Sequence, residues 1–278
     1  MRRFACLGLV GLFAACGGAT SEVRGSEDAA VVPATFLREL GAQSTAVLRA
    51  PTRSIDELDA DRQAARGVER RAATRDLVGA YIDAWQTASE RRERRRLRRV
   101  LDRMIDAGMR GARDATLDAE LDFAKLWVAY VAEESSAGPR AERFIRRYAR
   151  TGGALVGLAY MISGEVALGA QRYDEARDAF RFALGQLDTP LYAYALYRIA
   201  QAHHLGGDRS EAEQARIEVA RLGCPREVPA LTQRVARAAS QALGAGMRED
   251  PDGVVRPASC PAPSEGAPLE EQGWRPQE

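Results

Sequence analysis

Lysine is nearly missing from this chain: Lys125 stands alone among forty basic residues, and arginine supplies all the others. A phosphate-binding loop needs Gly-Lys-Ser/Thr, and the sole lysine follows Ala124, so that loop is excluded. A Ser-x-x-Lys nucleophile goes with it, because Asp122 stands three residues before Lys125. Histidine is almost as scarce. His203 and His204 are the only two; being adjacent, they project about 100° apart on a helix and are badly placed to share a metal. No His-Glu-x-x-His motif exists, and the four cysteines have no cluster spacing. Paired acids such as Glu133-Glu134 carry no argument on their own, and spacing alone leaves carboxylate-only glycoside chemistry open. The expectation is a non-enzyme with no cofactor, no metal and no small-molecule substrate.

Other shortages point the same way. Aromatic residues make up 6% of the chain, while Ala, Leu, Arg and Glu dominate, a balance that favours helix over strand. Net charge is +1, so no global pull toward nucleic acid is expected. No apolar run reaches the roughly 20 residues that a membrane-spanning helix requires.

One shorter apolar run is informative. Arg2 and Arg3 precede an uncharged stretch from Phe4 to Ala15, the composition of a signal-peptide core. It ends in Leu12-Phe13-Ala14-Ala15-Cys16, which resembles a bacterial lipobox, with Phe13 where leucine is usual. The resemblance implies a signal peptide over 1–15 and lipidation of Cys16. Acyl chains would then anchor the protein, each buried methylene contributing about 0.8 kcal/mol. Gly17, in the place where an aspartate would retain a lipoprotein at the inner membrane, implies the outer membrane facing the periplasm. The competing cut follows Ala19, where Gly17 and Ala19 satisfy the small-residue rule; it would yield a soluble periplasmic protein. Cys6 leaves with the signal, so Cys224 and Cys260 remain as a pair in an oxidising space. A bridge between them and two free thiols both stay open.

Residues 16–50 have the composition of a flexible tether, with a short helix conceivable around Phe36 to Leu40. Regular helix should begin at Ser54, which has capping-box spacing to Glu57. Leu77, Ala80, Tyr81, Ala84 and Trp85 follow helical spacing. The arginine run from Arg91 to Arg99 looks like a nucleic-acid patch until Leu97, Val100, Leu101, Met104 and Ile105 are read as one stripe with most arginines off it. A solvated helix face is the expectation, contact with an anionic envelope surface the alternative. Leu117, Leu121, Ala124, Trp127, Val128 and Val131 mark another helix, and Pro139 suits the start of the next.

From there the chain has an internal period. Tyr173, Ala176, Phe180, Ala183 and Leu184 resemble the second helix of a tetratricopeptide repeat, with Gly157 to Leu168 as its first helix and Gly164 at the small crossing position. A shift of 36 residues finds Ala200 and Ala212 at matching positions, with Gly206-Gly207 as the turn and Asp208 and Glu211 as a capping pair. Arg209 and Arg216 replace the aromatics there. A shift backward gives a worn copy over 121–156 around Val128 and Phe144. After Gly223-Cys224-Pro225, residues 227–243 read as a capping helix with Val228, Leu231, Val235 and Ala238 inward.

The expected architecture is therefore all-α: a helical region over 51–112, an antiparallel helix-hairpin, tetratricopeptide-like solenoid over 113–245, and a disordered Pro-rich tail over 246–278. The resemblance implies a concave groove for a protein or peptide partner lined by Tyr194, Tyr197, Arg198, Gln201 and His204, with Leu158, Met161, Ile162, Glu165 and Leu168 before them. The competing reading has these residues packing against adjoining helices. The lysine and asparagine set that clamps a terminal carboxylate in some members of the family is absent. The implied role is an interaction adaptor or assembly scaffold. The alternatives are a structural subunit of a larger envelope complex, such as a secretion or motility machine, and a soluble periplasmic adaptor.

Overall fold

The computed structural model describes residues 33–110, 114–185, 189–225, 227–245, 247–249, 255–258 and Cys260. The signal segment, Cys16 and the first part of the tether lie outside them. Eleven α-helices run in chain order through the described residues: α1 (Pro33–Ser44), α2 (Ile55–Ala64), α3 (Gly67–Thr87), α4 (Arg91–Gly108), α5 (Ala115–Val131), α6 (Ala137–Tyr148), α7 (Ala154–Gly169), α8 (Tyr173–Leu184), α9 (Thr189–Gly206), α10 (Arg209–Arg221) and α11 (Ala230–Ala242). A 3₁₀ turn, Ala46–Leu48, follows α1. The antiparallel strands β1 (Met247–Glu249) and β2 (Val255–Pro257) close the described chain.

Local chemistry explains several boundaries. The Ser54 hydroxyl accepts from the Glu57 amide and the Glu57 carboxylate accepts from the Ser54 amide, so α2 starts on a complete capping box. Asp114 caps α5 by accepting from the Leu117 amide at 2.9 Å. Gly153, at φ +48°, turns the chain into α7 through a conformation that a side chain would strain. Asp208 departs from expectation. It precedes α10 without a side-chain cap, because its carboxylate is engaged elsewhere, 2.9 Å from Arg177 and 3.3 Å from His203. Glu211 meanwhile accepts from Ser210.

Packing is mostly between consecutive helices, from α2 on α3 through α10 on α11, with α3 also meeting α5, α5 meeting α7 and α9 meeting α11. Short connections between packed neighbours make these helix hairpins. The apolar patterns fit the neighbours each helix has. In α7, surrounded by α1, α5, α6 and α8, Leu155 through Ala159 are all buried, as are Met161, Ile162, Ala167 and Leu168. In α4 only Leu101, Ile105 and Gly108 are buried, and Arg91 to Arg96 are exposed. One large core links Phe36 near the start to Ala239 near the end, and a small satellite gathers Leu58, Leu77 and Ala80.

Three expected boundaries are corrected. The tether over 16–50 is too long, since Phe36, Leu37, Leu40, Val47 and Leu48 are core residues. Its polar composition hides an amphipathic turn and a half whose apolar side is covered by distant helices. The tail over 246–278 begins instead with the β1–β2 hairpin, and Cys260 is bonded to Cys224 with their Cα atoms 5.4 Å apart. The bridge ties the hairpin to the turn after α10, where Pro257 and Cys260 are buried. The last helix also starts later than expected, at Ala230, leaving Val228 ahead of it.

Candidate functional site

The candidate partner groove can be rebuilt residue by residue. Leu158, Met161 and Glu165 lie along α7, and Tyr194, Tyr197, Arg198, Gln201 and His204 along α9. Helical spacing brings each set to one face. The structure does unite most of them, but around a closed polar knot instead of an open cleft. The Tyr194 hydroxyl donates to Glu165 at 3.1 Å, and Arg198 forms an ion pair with the same carboxylate. Arg198 also donates to the Gln201 side-chain oxygen, whose amide nitrogen donates to the Tyr197 hydroxyl at 3.1 Å.

What closes the face is α1. Phe36 stacks on Tyr194 with ring centroids 4.4 Å apart, and the Arg234 guanidinium from α11 lies over the Phe36 ring at 5.0 Å while pairing with Glu39 at 2.7 Å. Tyr194 is 0% exposed, Tyr197 1%, Met161 0% and Leu158 2%. The groove is therefore corrected to an interior: its apolar lining is shielded by a helix the sequence hid in the tether. His204, by contrast, is exposed and apart from the knot. Glu165 and Arg198 remain the unusual pair, a carboxylate and a guanidinium almost out of water.

The electrostatics follow from that burial. Tyr194 is pushed well above the ordinary phenol range, first by loss of water and then by the Glu165 charge. Tyr130 of α5 is raised by the same two causes in the same order. For Arg198, burial is the largest single influence and works against the charge, but the Glu165 charge, Tyr194, the hydrogen bond to Glu165 and Tyr130 together hold the guanidinium above its usual value. Nothing here presents a nucleophile with an adjacent base to an open surface. The arrangement can hold helices in register.

A second polar cluster escaped sequence reading. Glu120 of α5 is buried and accepts from the Thr45 hydroxyl at 2.7 Å, the Ala46 amide at 3.4 Å and Arg75 at 3.0 Å. Arg71, also buried, donates to the Gly108 carbonyl at 2.8 Å and pairs with Asp118. Glu120 and Arg71 thus each satisfy a backbone group in the interior, the Ala46 amide and the Gly108 carbonyl. An acid within the apolar run from Leu117 to Val131 was the only signal available.

Among the described residues no group of three or more His, Cys, Asp or Glu side chains could hold a metal ion. No helix among them is long and apolar enough to cross a membrane. The geometry thus defines a helical protein of consecutively packed hairpins, joined by buried polar side chains and closed by one short pair of strands. No family model, no curated protein and no solved structure matches the chain.

Proposed function

We propose that the chain is a non-catalytic bacterial envelope lipoprotein, anchored through Cys16 at the outer membrane and facing the periplasm. Its tetratricopeptide-like hairpins would serve as an adaptor or assembly scaffold for protein partners. The observation that carries the reading is the close helix pairing at small residues. A side chain begun at Gly164 would meet the Phe180 ring at 2.4 Å, which is the crossing expected of a repeat's two helices. Ala176, Ala200 and Ala212, at the matching small positions, are each no more than 1% exposed. The Cys224–Cys260 bridge supports an oxidising compartment.

Because α1 fills the inner face, this reading puts partner contact on the outer one. Phe182 of α8 is 62% exposed and stacks on Tyr160 of α7 with centroids 5.4 Å apart, a rigid aromatic pair of the kind that anchors interfaces. The test is crosslinking in native envelopes with the wild-type, Cys16→Ser and Phe182→Asp chains. Cys16→Ser should leave the membrane fraction, and Phe182→Asp should stay folded yet lose its crosslinked partner. Retention of Cys16→Ser on membranes sinks the anchor. Unchanged crosslinks in Phe182→Asp sink the outer-face interface.

A further inference from the structure

Two surface grooves of similar size differ in how their charges are answered. One, of about 440 Å³, lies at the start of α8 beside the α9–α10 turn. There Arg172 pairs with Glu175 at 2.6 Å and Arg177 with Asp208 at 2.9 Å, and Asp174 adds a further carboxylate. That groove is neutralised from within.

The other, of about 420 Å³, runs between α5 and α6. Lys125, Arg140, Arg143 and Arg147 line it over Leu126 and Phe144, and Asp122 is its one carboxylate. Asp122 lies 3.4 Å from Arg147. Lys125 leans on Asp106 of α4 at 2.6 Å, and Arg140 donates to the Ser136 hydroxyl at 3.1 Å. Arg143 has no ion pair among the described residues. The lining follows helical period on both sides, Asp122, Lys125 and Leu126 facing Arg140, Arg143, Phe144 and Arg147, so the cations stand on two fixed backbones. Residues 91–150 hold sixteen basic against ten acidic side chains, although the whole chain is only +1.

We propose that the α5–α6 groove binds a phosphate-bearing anion, a monoester or diester, through Arg140, Arg143 and Arg147. Guanidinium forks match phosphate oxygens two at a time, and a concave site with surplus cations focuses positive potential. The volume falls within the range of small-ligand sites. Leu126 and Phe144 are buried beneath the cations, so the groove is walled by guanidinium and ammonium groups over a packed base that holds α5 against α6. A merely solvated arginine face would attract anions diffusely and without saturation.

The test is calorimetric titration of the full chain with inorganic pyrophosphate at constant ionic strength set by chloride. Saturable one-to-one binding is expected, weakened about tenfold or more by Arg143→Glu, in keeping with loss of a charged hydrogen bond. Arg143 is exposed, so its variants should keep the wild-type melting curve; Arg143→Gln gives a milder second reading. Arg94→Glu with Arg95→Glu on α4 removes more charge at a distance and should leave the affinity unchanged. A parallel arm uses the Cys16→Ser chain with phosphatidylcholine vesicles containing phosphatidylglycerol. Vesicle capture lost in Arg143→Glu assigns a lipid headgroup, and pyrophosphate binding without vesicle capture assigns a soluble phosphate. Absence of saturable binding in both arms, or equal weakening by the α4 variant, overturns the site.

Discussion

Phe36 stacks face to face on Tyr194, its centroid 4.4 Å away, and this contact joins the first described helix to the ninth. Phe36→Ala should cost about 3–5 kcal/mol, the range for deleting a buried aromatic ring. It should also raise the accessibility of Tyr194 to chemical labelling. A urea midpoint shifted by the equivalent of less than about 1 kcal/mol would mean that α1 is a loosely held plug and not part of the core.

Glu165 and Arg198 test the buried knot. Glu165→Ala strands a guanidinium out of water and should destabilise by about 3–5 kcal/mol. Glu165→Leu combined with Arg198→Met should cost far less, since neither charge is then left unpaired. Equal losses in the single and double variants, measured by denaturant unfolding, would show that the charges themselves hold α7 to α9.

Gly164 tests the helix crossing. Gly164→Ala drives a methyl into the Phe180 ring, and overpacking of this kind costs about 1–3 kcal/mol. Adding Phe180→Leu makes room for the methyl, so the pair should cost less than the sum of its singles. Strict additivity of melting free energies would place the two residues out of contact.

Tyrosine burial predicts alkaline sensitivity. Tyr148 and Tyr192 are each pushed up to about 12 by burial first, with Asp122 and Glu218 respectively adding charge repulsion; Tyr130 and Tyr194 are raised as well. Unfolded tyrosines lose their protons near pH 10 while these stay protonated, so the unfolded state binds fewer protons above that pH. Stability should be fully present below pH 10 and fall between pH 10 and 12. Urea midpoints from pH 9 to 11 in the wild type and in Tyr148→Phe/Tyr192→Phe check this; the double variant should show a shallower decline.

Helix content was legible wherever period and caps agreed. The Ser54–Glu57 box, the α4 stripe ending in Leu101 and Ile105, and the Gly164–Phe180 crossing all rest on residues a few positions or one hairpin apart. Asp208 pairs instead of capping because a carboxylate before a helix has two uses, and only the position of Arg177 decides between them. The candidate groove failed for a related reason. Most of its residues share one region, His204 excepted, but nothing in α7 or α9 announces what lies over them.

The amino-acid order alone determined most of the helical segments from Ser54 to Leu243 and their apolar faces, since propensity, capping and period act over one or two turns. Tertiary structure decided what those faces meet. It alone made α1 part of the core, turned the Tyr194 face into an interior, joined Cys224 to Cys260 and brought Arg143 beside Lys125 on one groove. Each of these depends on contacts between residues far apart in sequence. Burial and pairing of that kind have no local signature, because the same side chain serves equally well against solvent, a neighbour or a partner.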